Sequence, residues 1–292
     1  MKGFMHYGVF IFILTFTSLA EAVIKIPFKL DESALPIVTL NINGQEGEFM
    51  LDTGSAFAFH FDPAFIRQVP WLKPLKDKVR TTDLTGEVFL NDKFMFHHVS
   101  VNGMSFENVE GVSLSPWGLT LQPDGKRPES MVIGLGLFRQ KVLMIDYPHR
   151  LFTVANRLDD FTIDRQQWLT LPLTITDEGI IIEVMKNNES FNMLLDTGAT
   201  LSMLWSKRLN RTDNVFPCKE VIAEMDDEGC QATQINIKQA TSGKINIAAT
   251  LVDDIDSKMV ADGLLGTNFL QHHRVLIDFP AQQLLIRANE PG

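Results

Sequence analysis

The sequence predicts an all-β protein built from two similar lobes. Three observations support this fold class. Four short elements recur in the same order in both halves, apolar residues alternate with a period of two, and Asn-Gly and Asn-Asn pairs separate the alternating runs. With 292 residues, 45% of them hydrophobic, the chain is long and apolar enough to bury a core in each lobe.

The recurring elements define a duplicated unit of about 125 residues. Asp146 and Asp278 each follow a matched glycine by 12 residues, and each precedes an aromatic-Pro pair, which predicts a structural role in a turn. The paired elements are residues 26–30 and 171–175, 50–55 and 194–199, 132–134 and 264–266, and 142–148 and 274–280.

The duplication predicts how the chain is divided. We expect an N-terminal lobe over residues 23–155, a polar linker over 156–165 and a C-terminal lobe over 166–292. The first unit carries 12 more residues between its matched aspartates than the second. This excess falls in residues 115–130, whose three prolines and two glycines predict an exposed loop.

The first 22 residues differ from the rest of the chain. Lys2 is followed by an apolar run over residues 9–16, and residues 20–22 read Ala-Glu-Ala. This pattern predicts a signal peptide, hence export to the periplasm or out of the cell and no membrane attachment after cleavage. The alternative is an uncleaved membrane anchor.

Charge and cysteine content restrict the partners and the redox state. The formal net charge of −10 disfavours binding to nucleic acid, whose phosphates an acidic surface repels. The chain has two cysteines, Cys218 and Cys230, and two are too few for a disulfide scaffold. Export would allow one disulfide between them, and two buried free thiols are the alternative.

Local patterns place the first strands and one helix. Residues 37–42 and 180–185 are rich in β-forming residues, and Asn43-Gly44 and Asn187-Asn188 follow them as hairpin turn signals. Asp62-Pro63 predicts the N-cap and first position of a helix of about two turns.

The candidate chemistry lies in a repeated tripeptide, Asp52-Thr53-Gly54 and Asp196-Thr197-Gly198. Each copy ends an apolar strand, and its glycine allows a tight turn. Two such loops related by pseudo-symmetry can place their carboxyl groups side by side, where they share one proton. The ionised group can act as a base on water while the protonated group donates to an amide carbonyl, without metal or cofactor.

The two loops, each paired with a downstream hydrophobic-hydrophobic-Gly element, resemble the aspartic protease superfamily. The lobes are closer in size to those of the retropepsin-like branch than to full pepsin lobes, so the chain resembles a retropepsin dimer fused into one chain. The resemblance implies two pseudo-symmetric β-barrel lobes, a cleft between them that takes a peptide or protein, and a monomer that is a complete endopeptidase.

The resemblance also assigns roles to individual residues. Asp52 and Asp196 correspond to the catalytic aspartates. The remaining positions correspond to threonines that brace the loops (Thr53, Thr197), glycines that face the substrate main chain (Gly54, Gly198), and glycines that support each loop from below (Gly134, Gly266).

A flap hairpin is expected about 30 residues beyond Asp52. Residues 80–87 fit it, with Gly86 near the tip as a substrate contact, and residues 226–229 are the counterpart in the second lobe. A pepsin-type flap tyrosine is absent, because the one tyrosine after residue 22 is Tyr147.

The two loops differ at one position next to the substrate, Ser55 in the first and Ala199 in the second. The resemblance implies that the Ser55 hydroxyl donates to Asp52. Such a bond would lower the pKa of Asp52, bias the shared proton toward Asp196, and give an optimum at roughly pH 4–6.

Two other kinds of protein could carry such loops. One is an inactive, aspartic-protease-like protein that binds peptides or proteins, but such a protein would usually have lost an aspartate or a glycine, and both copies are intact. The other is an actin-like phosphate-binding protein, which the signal peptide and the β-rich pattern disfavour.

Overall fold

The computed structural model describes residues 23–82, 86–115, 129–210, 214–220, 229–238, 244–253 and 259–288. The predicted signal peptide lies outside these residues. So do most of the predicted loop over residues 115–130 and most of the second-lobe segment over residues 226–229.

In the described part of the first half, ten strands and one α-helix follow one another along the chain. They are β1 (Val23–Leu30), β2 (Pro36–Ile42), β3 (Gln45–Asp52), β4 (Phe59–Phe61), α1 (Pro63–Gln68), β5 (Lys73–Thr82), β6 (Val88–Val101), β7 (Met104–Ser113), β8 (Met131–Gly134), β9 (Val142–Asp146) and β10 (Leu151–Ala155).

The described part of the second half contains eleven strands and one short α-helix. They are β11 (Leu169–Pro172), β12 (Thr174–Ile175), β13 (Ile180–Lys186), β14 (Glu189–Leu195), β15 (Met203–Trp205), β16 (Phe216–Pro217), β17 (Gln231–Lys238), β18 (Lys244–Val252), β19 (Gly263–Leu265), α2 (Thr267–Leu270), β20 (His273–Asp278) and β21 (Gln283–Ala288). The all-β fold class is therefore confirmed.

The two lobes share one topology. In the first lobe the strand order is β1-β2-β3-β8-β4-β7-β6-β5, and in the second it is β12-β13-β14-β19-β15-β18-β17-β16. Each sheet curls toward closure, through β2–β6 pairing in one lobe and β13–β17 pairing in the other. The strand that ends in the Asp-Thr-Gly loop runs parallel to the strand of the hydrophobic-hydrophobic-Gly element in both lobes.

The predicted hairpin turns are confirmed. Asn43 and Gly44 join β2 to β3 with φ values of 51° and 91°, and Asn187 and Asn188 join β13 to β14 with 48° and 69°. Positive φ at both central residues is the turn that matches the twist of antiparallel strands. The start of α1 is also confirmed, because Asp62 Oδ1 accepts a hydrogen bond from Ala64 N.

A third sheet joins the lobes, and the duplication alone did not predict it. Its order is β11-β21-β20-β9-β10-β1, so β9 of the first half pairs directly with β20 of the second. Asp146 and Asp278 end these two strands. Their side chains accept hydrogen bonds from His149 N and Ala281 N, which confirms the turn role predicted for both.

An aromatic cluster holds the strands around the first Asp-Thr-Gly loop. Phe59 and Phe61 of β4 are fully buried, and the Phe61 ring stacks on Phe94 with 5.3 Å between centroids. Phe49 of β3 lies 5.7 Å from Phe61. Both strands that flank the loop are therefore anchored in one core, which positions the residues between them.

Cys218 and Cys230 form a disulfide in the second lobe, with Cα atoms 5.4 Å apart. Cys218 is fully buried, and Cys230 directly precedes β17. Among the described residues, no helix is long and apolar enough to cross a membrane. The same part of the chain holds no group of three or more His, Cys, Asp or Glu side chains arranged to bind a metal ion.

Candidate active site

Asp52 and Asp196 meet where the two lobes face each other. Asp52 is the last residue of β3, and Asp196 directly follows β14. Both side chains are buried, with 7% and 9% of their surface exposed, and a side-chain hydrogen bond links the two carboxyl groups. The structure thus brings together two aspartates that lie 144 residues apart in the chain.

Thr53 and Thr197 tie the loops together. Each hydroxyl accepts the other residue's backbone N–H, at 2.9 and 3.0 Å. Each hydroxyl also donates across the lobe boundary, Thr53 to the carbonyl of Leu195 at 2.7 Å and Thr197 to that of Leu51 at 2.6 Å. All four bonds are buried, so they hold the two carboxyl groups in a fixed relation.

Gly54 and Gly198 leave room for the opposite aspartate. A Cβ atom on Gly54 would lie 2.8 Å from Asp196 Oδ1, and one on Gly198 would lie 3.0 Å from Asp52 Oδ1. Each glycine N–H also donates to the carboxyl of its own loop at 2.7 Å. Any larger residue at either position would therefore push the carboxyl groups apart.

The two supporting glycines lie directly against the loops. A Cβ atom on Gly134 would come within 2.2 Å of the Phe57 carbonyl oxygen, and one on Gly266 within 2.6 Å of the Ala199 carbonyl oxygen. The following residues complete the contact: Leu135 N donates to the Ser55 carbonyl at 2.9 Å, and Thr267 N donates to that of Ala199 at 2.8 Å.

The environment of the pair favours protonation. Burial raises the pKa of Asp52 well above its usual range, and the negative charge of Asp196 raises it further. Burial also raises the pKa of Asp196, but the hydrogen bond from Asp52 and the N–H groups of Gly198 and Gly54 lower it. Burial therefore raises the pKa of both groups, and the pair retains a shared proton at pH values where isolated carboxyl groups are ionised.

The hydroxyl of Ser55 does not make the hydrogen bond to Asp52 that the resemblance implied. The Ser55 hydroxyl was expected to donate to Asp52, but its oxygen lies 2.8 Å from His60 Nε2 instead. The hydrogen bonds that reach the Asp52 carboxyl from its own loop come from the backbone N–H groups of Gly54 and Ser55. The expectation was wrong because β4 carries a histidine whose ring turns the hydroxyl away.

Two buried residues below the pair were not predicted to belong to the site. Tyr147 Oη lies 3.5 Å from Thr267 Oγ1, and burial raises the pKa of Tyr147, with the charges of Asp196 and Asp52 adding to the rise. Thr267 Oγ1 in turn hydrogen-bonds the Ala199 carbonyl at 3.1 Å. The sequence feature that could have indicated a role for Tyr147 in the site is its position next to Asp146 in a repeated element.

The predicted flap corresponds to the hairpin of β5 and β6. Thr82 pairs with Val88, so the hairpin extends to the turn that holds Gly86, where φ is +84°. Residues 83–85 of this turn lie outside the described part. The buried Asn91 braces the hairpin by hydrogen bonds to Thr81 and to the carbonyl of Ser113, both at 2.7 Å.

Comparison with known proteins agrees with this geometry. Residues 182–272 match the family model described as "gag-polyprotein putative aspartyl protease". No curated protein is significantly similar to the chain in sequence.

Solved structures resemble the chain over most of its length. One is an aspartic proteinase from Irpex lacteus, with a TM-score of 0.60 and 14% identity over 92% of this chain and 98% of that one. Another is Basic 7S globulin from soybean, with a TM-score of 0.57 and 10% identity over 92% of this chain and 95% of that one. At these identities the likeness shows the fold.

Proposed function

We propose that the chain is an aspartic endopeptidase that cleaves peptide bonds with Asp52 and Asp196, and that it belongs to the aspartic protease superfamily. The match of residues 182–272 to an aspartyl protease family model and the likeness of the fold to an aspartic proteinase support this. The observation that carries the proposal is the buried, hydrogen-bonded pair of carboxyl groups held by Thr53 and Thr197. Enclosed carboxyl groups that share a proton supply an acid and a base at the same place.

In the proposed reaction, Asp196 is the ionised member of the pair and Asp52 is the protonated one. Ionised Asp196 accepts a proton from a water molecule, whose oxygen forms a bond to the carbonyl carbon of the substrate. Protonated Asp52 donates its proton to the carbonyl oxygen as that oxygen gains negative charge. The tetrahedral intermediate then collapses: one of its two hydroxyl groups returns a proton to Asp52, the C–N bond breaks, and the leaving nitrogen takes up the proton held by Asp196. The reaction uses no covalent intermediate with the protein.

We further propose that one chain forms the complete enzyme and that it acts after export. Both aspartates lie in one chain, and the reciprocal threonine bonds join its own two lobes. Light scattering with activity measured across the elution profile tests the first point. Activity confined to a dimeric fraction would contradict it.

The deciding experiment is a peptide-library digestion with residues 23–292 between pH 3 and 7, with and without pepstatin. We expect cleavage that pepstatin blocks and that both Asp52→Asn and Asp196→Asn abolish, because each variant removes one member of the pair. Asp159→Asn, at an exposed position remote in sequence from both loops, is the matched control and should cleave normally.

A folded wild-type protein that cleaves nothing at any pH would contradict the proposal. It would favour the alternative of a catalytically inactive protein that binds peptides in the same cleft. Binding of pepstatin without cleavage, measured by calorimetry, would identify that case.

A further inference from the structure

The hydroxyl of Ser55 and the imidazole of His60 form a polar pair beside the catalytic candidates, with 2.8 Å between Oγ and Nε2. We propose that His60 is a positioning residue that holds the Ser55 hydroxyl away from Asp52 and thereby keeps the Asp52 carboxyl group without this hydrogen-bond donor. The inference rests on the proposed function, since it concerns how the same pair of aspartates is tuned.

The second lobe shows what occupies the equivalent place. His60 pairs with Val132, and Met203 pairs with Leu264. Val132 and Leu264 are the first residues of the two matched hydrophobic-hydrophobic-Gly elements, so His60 and Met203 are counterparts.

The neighbours of these counterparts differ in the same way. Ser55 of the first lobe corresponds to Ala199 of the second. Ala199 and Met203 belong to one buried hydrophobic cluster, whereas Ser55 and His60 form a hydrogen bond. The first lobe therefore carries a polar pair where its duplicate carries an apolar one.

The surroundings fix the orientation of both side chains. β4 lies between β7 and β8, and the residues in register with His60 on these strands are Val112 and Val132, both apolar. The ring of Phe57 meets the imidazole edge-on at 6.0 Å between centroids. The Ser55 hydroxyl lies over the supporting glycine, 2.8 Å from where a Cβ atom on Gly134 would be.

The imidazole is suited to accept a hydrogen bond from the Ser55 hydroxyl. Burial lowers the pKa of His60 to about 4, so the ring is neutral at weakly acidic pH and Nε2 can carry its lone pair. A Ser55 hydroxyl that donates to Nε2 cannot donate to Asp52. Asp52 and Asp196 act on each other's pKa, and both raise that of the buried phenol of Tyr147. A hydrogen bond donated by Ser55 to Asp52 would therefore change the pKa values of the aspartate pair.

The test uses variants that copy the second lobe into the first. In His60→Met the Ser55 hydroxyl is released and can turn to Asp52, where a donated hydrogen bond favours the carboxylate. We expect both limbs of the pH profile of kcat/KM to move to lower pH, by about half to one pH unit. His60→Gln, whose side-chain amide can still hold the hydroxyl, should keep the wild-type profile.

The double variant separates positioning from a general structural effect. Ser55→Ala/His60→Met reproduces the Ala199 and Met203 pair, and its limbs should coincide with those of Ser55→Ala alone, because no hydroxyl remains to be released. An equal shift in both backgrounds, or no shift with Ser55 present, would overturn the inference. Should His60→Met fail to fold by circular dichroism, His60→Leu takes its place with the same expectations.

A titration of the aspartate carboxyl carbons by 13C NMR gives the same comparison without turnover. In His60→Met the titration of the pair should begin at lower pH than in the wild type, and in the Ser55→Ala background it should not. An inactive wild type with this NMR pattern would contradict the proposed function but support the role of His60. An active wild type without this NMR pattern would support the proposed function but contradict the role of His60.

Discussion

Thr53 and Thr197 accept each other's backbone N–H through their side-chain hydroxyls, at 2.9 and 3.0 Å, across the boundary between the lobes. Neither residue exposes any surface. The bonds fix the spacing of the aspartates that precede them, so this pair of threonines connects the stability of the molecule with its proposed chemistry.

Replacement of Thr53 by valine should therefore be costly. Valine keeps the shape but leaves the N–H of Thr197 and the carbonyl of Leu195 without partners, at a cost of about 2–4 kcal/mol. Thr53→Ser keeps the hydroxyl and loses one methyl group, for about 1 kcal/mol. Urea denaturation of both variants measures the difference. Equal losses would show that the hydroxyl contributes little.

Gly134→Ala should disrupt the first loop. The added Cβ would meet two backbone oxygens, those of Phe57 at 2.2 Å and Ser55 at 2.7 Å, and neither can move without displacing the loop. We expect a loss of about 2–3 kcal/mol and of peptidase activity.

The control for this variant is Gly44→Asn. Gly44 lies in a turn at φ +91° with open space around it, and asparagine tolerates the left-handed region better than other residues. The free energy of unfolding of Gly44→Asn should be lower than that of the wild type by less than about 1 kcal/mol. Thermal unfolding of both proteins compares them, and a Gly134→Ala protein as stable as Gly44→Asn would contradict the packing argument.

The raised pKa of the aspartates makes stability depend on pH. Between the unfolded value of about 3.8 and the raised folded values, the native state binds more protons than the unfolded chain, so stability falls as pH rises through this window. Asp52→Asn removes one of the two ionisable groups. Its melting temperature should exceed that of the wild type at pH 7, and the difference should shrink toward pH 3.

Differential scanning calorimetry from pH 3 to 7 measures this trend. Asp159→Asn, at an exposed position, serves as the reference and should follow the wild type. If the melting temperature of Asp52→Asn exceeds that of the wild type by the same amount from pH 3 to 7, the ionisation of the Asp52 carboxyl group is not the cause of the difference.

Reduction of the disulfide should weaken the second lobe. The bond between Cys218 and Cys230 closes a loop with a sequence separation of 12. When the bond is broken, the conformational entropy of the unfolded chain increases, and we expect the free energy of unfolding to fall by about 3 kcal/mol. Addition of dithiothreitol should lower the melting temperature of the wild type. The Cys218→Ser/Cys230→Ser variant should melt low in both conditions, and an unchanged wild type would show that the bond contributes no stability.

The repeated elements and the local structure around them could be predicted from the pattern of residues along the chain. The hairpins at Asn43 and Asn187, the cap at Asp62 and the pairing of each Asp-Thr-Gly loop with a downstream glycine depend on neighbouring residues or on a repeat that is visible in the chain. Such features need no knowledge of what packs against them, because backbone conformation at these positions follows from turn and capping chemistry.

The directions in which the side chains of the site point could not be predicted in this way, because they depend on how the strands pack. Ser55 and His60 are five residues apart, yet their hydrogen bond exists because β4 lies between β7 and β8 and aims the imidazole at the loop. β9, which Tyr147 directly follows, pairs with β20 across about 130 residues of chain, and the charges of both aspartates act on the Tyr147 phenol. Contacts of this kind depend on how the lobes pack in three dimensions, and residue spacing along the chain does not encode them.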